Sequence, residues 1–167
     1  MATNPDPNLA LTNLAGRTRT LDDWSTMFQL VLIVLPDRPE ASAWVPIADR
    51  IFATFGDADC NTAFVIPSAP SVARKILERV GTKNAASSAT VFVDPDREFV
   101  TSLGLERLPA FVHLRQNTTL ASVAEGWDPR EWQRVAREIG KAMAWTYPEI
   151  ARRTDPPPTD GWPAAAA

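Results

Sequence analysis

A single cysteine, a single histidine and one charged, proline-rich loop are the parts of this chain whose residue types invite a chemical reading. An enzyme that cycles a dithiol needs two thiols within reach. Cys60 stands alone, which excludes an intrachain disulfide, a CxxC motif and any multi-cysteine metal site. A single-thiol role stays open, but "GDADCNTAFV" offers Cys60 no neighbouring Lys, Arg or His to lower its pKa. At the start of an apolar strand it reads as a small, inert hydrophobe. His113 in "AFVHLR" alternates onto one face with Phe111 and Arg115. With no second ligand nearby, it reads as a satisfied or solvent-facing side chain rather than a metal ligand. No Ser-His-Asp order, glycine-rich phosphate loop or zinc spacing is visible, so no cofactor and no metal are expected.

The loop lies in "LPDRPEASAWVPIADRI", residues 35–51, between an apolar run and an amphipathic stretch. Asp37 and Glu40 bracket Arg38, and as solvated partners of that guanidinium they contribute little. Glu40 also suits the N-terminus of the helix that follows. Arg38 beside that terminus leaves a smaller reading open, a site for a carboxylate or sulfate. Ser42 is placed to cap the helix, which carries Trp44, Ile47, Ile51, Phe52 and Phe55 on one side, is interrupted by Pro46 and stops at Gly56.

The elements that must position these residues follow from periodicity. "FQLVLIVL", Phe28 to Leu35, is continuous and branched, the pattern of a central strand buried on both faces. Short extended pieces precede it at Leu9–Asn13 and Thr18–Leu21. Further strands are expected at Thr62–Pro67 and Ala89–Val93, and as a hairpin at Ala110–Arg115 and Thr119–Gly126. Helices are expected at Ser71–Val80, closed by Gly81, at Arg97–Leu103, and from the Asp128 cap through Pro129 to about Trp145. Alternating strands and helices imply right-handed crossovers and a parallel core, which the hairpin turns into a mixed sheet. Residues 1–8 read as a flexible arm, 9–147 as one domain, and 148–167, "PEIARRTDPPPTDGWPAAAA", as a disordered tail.

Composition narrows the partners. A net charge of −3 with the basic residues scattered argues against nucleic acid and against a polybasic membrane contact. The longest apolar run is far short of the roughly 20 residues that cross a bilayer. The N-terminal stretch has no basic segment followed by an apolar one, so a cytoplasmic location is expected. Of six tryptophans, Trp24, Trp44 and Trp132 fit inward stripes, while Trp127 and Trp162 are candidates for exposed partner contacts.

The order of motifs resembles the thioredoxin-like superfamily, and within it the redoxin branch of thiol-disulfide reductases and peroxiredoxin-type enzymes. "LTNLAGRTRTLDDW" is similar to that branch's short opening hairpin and first helix. "VDPDREFVTSLGLERLPAFVHL" is similar to its stretch from an Asp-Pro-Asp turn to the cis-proline strand, and "GWDPREWQRVAREI" to its capped last helix. The resemblance spans roughly Leu9 to Met143. It implies a three-layer α/β/α sandwich with a mixed sheet, a cis bond before Pro109, and backbone groups of Leu108 open to strand-like pairing with an extended peptide. Relatives carry a proline five residues after the second cysteine of CxxC. Pro46 in that role places the motif on Arg38-Pro39-Glu40-Ala41, where both thiols are missing.

A second resemblance, through "LDDW", "PDRPE", "RLPAFV" and "GWDPREW", is to thioredoxin-like accessory proteins of nickel-iron hydrogenase maturation, which also lack CxxC. This chain departs from them by an extra strand-helix unit at about Thr62–Lys83. The implied function is a redox-inactive protein-binding module, an adaptor or assembly chaperone for another protein or an extended peptide, which the second resemblance would make a metalloenzyme subunit such as that of a hydrogenase. Its groove is formed by Asp37, Arg38, Pro39, Glu40, Ala41, Leu108 and Pro109, with Trp127 as a partner anchor. The alternative is a single-cysteine thiol oxidoreductase or peroxidase-like enzyme using Cys60.

Overall fold

The structure, a computed structural model, describes residues 1–78 and 89–165. A seven-stranded sheet runs in the order β2-β1-β5-β4-β3-β7-β8. Its members are β1 (Ala10–Asn13), β2 (Thr18–Thr20), β3 (Gln29–Val34), β4 (Cys60–Ile66), β5 (Thr90–Val93), β7 (Ala110–Leu114) and β8 (Leu120–Glu125). Strands β3, β4 and β5 are parallel, while β1, β2, β7 and β8 pair antiparallel, so the sheet is mixed. A second sheet of two short strands pairs β6 (Arg107–Leu108) with β9 (Trp162–Pro163).

Helices cover both faces, and the period of two along β3 decides which residues meet them. Val31 and Ile33 face α2 (Val45–Phe55), α3 (Pro70–Glu78) and α5 (Pro129–Ala142), in a core with Phe52, Phe64, Phe111 and Trp132. Leu30, Leu32 and Val34 face α1 (Leu21–Ser25) and α4 (Glu98–Ser102), with Leu21, Phe99 and Val100. Because β3 is buried on both faces, its sequence lacks alternation. Local signals start the helices. The Thr20 hydroxyl accepts the Asp23 N–H at 3.1 Å, the Asp128 carboxylate accepts the Arg130 N–H at 2.9 Å, and Asp94 accepts the Phe99 and Val100 N–H groups at 3.1 Å.

Several expectations need correction. Pro46 does not interrupt a helix begun at Ser42: residues Pro39–Trp44 form a 3₁₀ segment, and Pro46 sits in the first turn of α2. A first-turn proline forfeits no intrahelical bond, and the Ser42 hydroxyl donates to the Pro39 carbonyl instead of capping. The arm at residues 1–8 is docked, with Pro5 buried, the Thr3 N–H on the Leu103 carbonyl at 2.8 Å and the Leu120 N–H on the Asn4 side chain at 2.9 Å.

The largest correction concerns the tail. Residues 148–165 fold back over the domain, with Ile150 and Ala164 fully buried. Polar composition suggested disorder, but a few long-range anchors hold this segment. Arg50 on α2 donates to both Asp155 carboxylate oxygens at 2.7–2.8 Å and to the Ile150 carbonyl at 2.7 Å. Trp127 and Thr159 exchange two backbone hydrogen bonds at 2.7 and 2.9 Å. Val80, Gly81 and Lys83, expected to end the third helix and the extra unit, lie outside the described residues, as do Ala166 and Ala167.

Candidate functional site

The strand β3 delivers the chain to the C-terminal end of the parallel strands, where Asp37, Arg38, Pro39 and Glu40 are exposed and Ala41, inside the 3₁₀ segment, is buried. Opposite them the Leu108–Pro109 peptide bond is cis. The two walls meet through the tail. Trp162 is the register partner of Leu108, Pro163 that of Arg107, and the Ala164 N–H donates to the Glu106 carbonyl at 2.9 Å. The Trp162 ring lies under the Arg38 guanidinium, 5.1 Å from its centroid, and edge-on to Trp44 with centroids 5.7 Å apart. Arg38 therefore stacks on an aromatic ring while its exposed pairing with Glu40, at 3.6 Å, adds under about 1 kcal/mol.

Three further features shape this groove, none of them singled out from sequence. Arg107 donates to the carbonyls of Asp160 and Gly161 at 3.0 and 2.9 Å. Arg97 bridges the walls, donating to the Ala164 carbonyl and to the Asp37 carboxylate, the latter at 3.0 Å. Gly161 has φ +72°, and a Cβ there would overlap the Leu108 carbonyl oxygen and lie 3.2 Å from Pro109 Cδ. Glycine is thus required where the segment crosses the shoulder before Pro109. The groove holds guanidinium groups, indole rings and backbone, with no thiol and no histidine. That set can bind an extended chain and hold aromatic or carboxylate groups.

Cys60 and His113, the two residues whose types could do thiol or imidazole chemistry, lie elsewhere. Cys60 pairs in register with Gln29 at the start of the parallel strands, the end opposite the Arg38 loop. It is buried, its Sγ lies 3.1 Å from the Phe55 carbonyl oxygen, and burial, helped by Asp59, pushes the thiol up to about 11. His113 is buried against Gln29 Oε1, and burial, with Arg115 adding repulsion, holds it down at about 4. Among the described residues no group of three or more His, Cys, Asp and Glu stands together to hold a metal, and no helix is long and apolar enough to cross a membrane.

Trp127 is not an exposed anchor. It is 1% exposed, stacks edge-on against Trp132 at 5.0 Å and donates from Nε1 to the Pro156 carbonyl at 2.8 Å, so the tail covers it.

No family model and no curated protein matches this chain. Solved structures do. A Chlorobium tepidum protein assigned as the thiol:disulfide interchange protein DsbE superposes with a TM-score of 0.69 at 18% identity, covering 86% of this chain and 98% of that one. Peroxiredoxin Q of Xanthomonas campestris gives 0.65 at 12% identity, with 83% and 92% covered. MTB DsbF gives 0.64 at 13%, with 81% and 95% covered. The fold is thioredoxin-like. The groove lies between the Arg38 loop, which follows β3, and the Leu108-Pro109 step, which precedes β7.

Proposed function

We propose that this chain is a redox-inactive thioredoxin-like binding module, an adaptor or assembly chaperone, which holds an extended polypeptide between the Arg38 loop and Leu108-Pro109. One observation carries the reading: Leu108 pairs as a strand with an extended segment whose tryptophan lies under Arg38, the residue standing at a cysteine position. Backbone pairing plus one aromatic pocket is a recurrent mode of peptide capture. It needs no thiol, and this chain has none there. The alternative, single-thiol chemistry at Cys60, draws support from neighbours named for disulfide interchange and peroxide chemistry, but it would have to act from a buried thiol at the far end of the sheet.

The test is affinity capture with full-length bait in two forms, Trp162→Ala, which frees the groove, and Trp162→Ala with Arg38→Glu. Mass spectrometry is expected to find proteins held by the first and lost from the second. Identical recoveries from both would sink the binding-module reading. Peroxide or disulfide turnover abolished by Cys60→Ser would install the alternative.

A further inference from the structure

We infer that residues 161–164, Gly-Trp-Pro-Ala, are a resident ligand of the Pro109 groove, and that the partner polypeptide presents the same pattern of glycine, tryptophan, proline and a small residue. The inference rests on the binding-module reading for its biological partner, but its own support is positional. Upstream, the tail is already fixed without the groove, by Arg50 on Asp155, by the Trp127–Thr159 pair and by buried Ile150. The groove segment begins only after these anchors, so it can leave while they stay.

Each of the four residues meets a distinct requirement. Gly161 passes the Leu108 carbonyl where a Cβ would collide. Trp162 fills the space between the Arg38 guanidinium and the Trp44 edge. Ala164 donates to Glu106, so by the alternation of an antiparallel pair Pro163 falls where no N–H is asked for. Ala164 is fully buried in the core cluster with Phe99, Leu105 and Leu108, a place suited to a small apolar residue. Arg107 and Arg97 grip carbonyls of the segment, contacts any sequence can make. Selectivity thus resides in the glycine, the tryptophan and the small residue.

A tethered ligand sits at an effective concentration of roughly millimolar, so a partner must compete with it. The experiment uses the full chain and a fluorescein-labelled peptide of residues 159–165, Thr-Asp-Gly-Trp-Pro-Ala-Ala, followed by anisotropy. In Gly161→Val the resident segment is expelled, and the peptide is expected to bind saturably, about tenfold more tightly than to wild type. Peptides with Gly→Val or Trp→Ala at the matching positions are expected to bind neither chain. A folded Gly161→Val chain that ignores the peptide, or equal binding by wild type and variant, would overturn the inference. Should Gly161→Val fail to fold, Trp162→Ala takes its place with the same expectation. Peptide binding alongside failed protein capture would remove the adaptor role alone. Groove-dependent capture without peptide binding would remove this ligand pattern alone.

Discussion

Replacing Asp155 by alanine tests whether the tail is structural or merely draped. The Arg50 and Asp155 side chains are 10% and 7% exposed and meet at 2.7 Å, so the pair is shielded from solvent. Removing one member of such a pair strands the other charge, at a typical cost of about 3–5 kcal/mol. Here the loss has a ceiling, because the tail can release locally and return Arg50 to water. Release exposes Ile150, worth about 2–3 kcal/mol of apolar burial, along with the cover over Trp127. The two routes converge on a loss of about 3 kcal/mol. It should be seen as reduced stability in urea denaturation, or as amide exchange at Trp127 and Thr159 about a hundredfold faster with the sheet core unchanged. Replacing both partners by apolar residues, Arg50→Met with Asp155→Leu, should recover part of the loss. A change below about 0.5 kcal/mol, with exchange at Trp127 and Thr159 as slow as in wild type, would refute the reasoning.

Other consequences are open to direct measurement. With its thiol pushed up to about 11, Cys60 should react with a disulfide reagent at pH 8 at least about a hundredfold more slowly in the native chain than in urea; equal rates would contradict the burial argument. His113 titrates at about 4 in the folded chain against an ordinary 6.5, so the unfolded chain takes its proton first as pH falls. Stability conferred by the neutral ring is complete above pH 6.5 and drains away between 6.5 and 4, by roughly 3 kcal/mol. The pH 7 to 4.5 difference in unfolding free energy should shrink accordingly in His113→Gln, and an unchanged difference would count against it. Burial raises the Asp94 pKa while bonds from the Val100 and Phe99 N–H groups oppose it, so what α4 needs there is an acceptor. Asp94→Asn should cost under about 1 kcal/mol and Asp94→Ala about 1–2, with the reverse order refuting the capping role.

The sheet and its helices were legible because strong periodicity and local caps agree: β3 is apolar on both faces, and Asp128-Pro129 marks the start of α5. The Arg38 loop and the Leu108-Pro109 step were marked in the sequence by their prolines. What lies between them was not. The closing segment comes from a proline-rich stretch with no period, and its position depends on single residues far away in sequence. Arg50 lies on the flank of α2, off the buried stripe of Ile47, Ile51 and Phe55, and Gly126 lies where a Cβ would meet the Thr159 carbonyl at 3.0 Å. A tryptophan inside a polar tail was the available signal. Trp162 stands out in the sequence as an exposed contact, whereas in the fold it packs against Arg38 and Trp44. Trp127 is buried for the same reason, since the cover over it belongs to the tail.

The strength of the groove contacts constrains what kind of partner can use them. One aromatic pair contributes about 1 kcal/mol, the Arg38 stacking about 0.5–1, and some three hydrogen bonds about 1 each. Taken together as about 5 kcal/mol, and before any ordering cost, this matches a dissociation constant of about 0.2 mM. A resident segment at roughly millimolar effective concentration then occupies the groove most of the time but not always. A free peptide of the same pattern cannot displace it at ordinary concentrations. A groove built from backbone, guanidinium and indole groups has no thiol with which to hold a weak ligand covalently. A productive partner must therefore touch a second surface, and the exposed Pro39-Glu40 edge beside the groove is the nearest one. Because Glu40 also pairs with Arg38, Glu40→Lys in the Trp162→Ala chain should weaken capture of an intact partner severalfold more than it weakens binding of the seven-residue peptide. Parallel loss of both would mean that the groove alone accounts for binding.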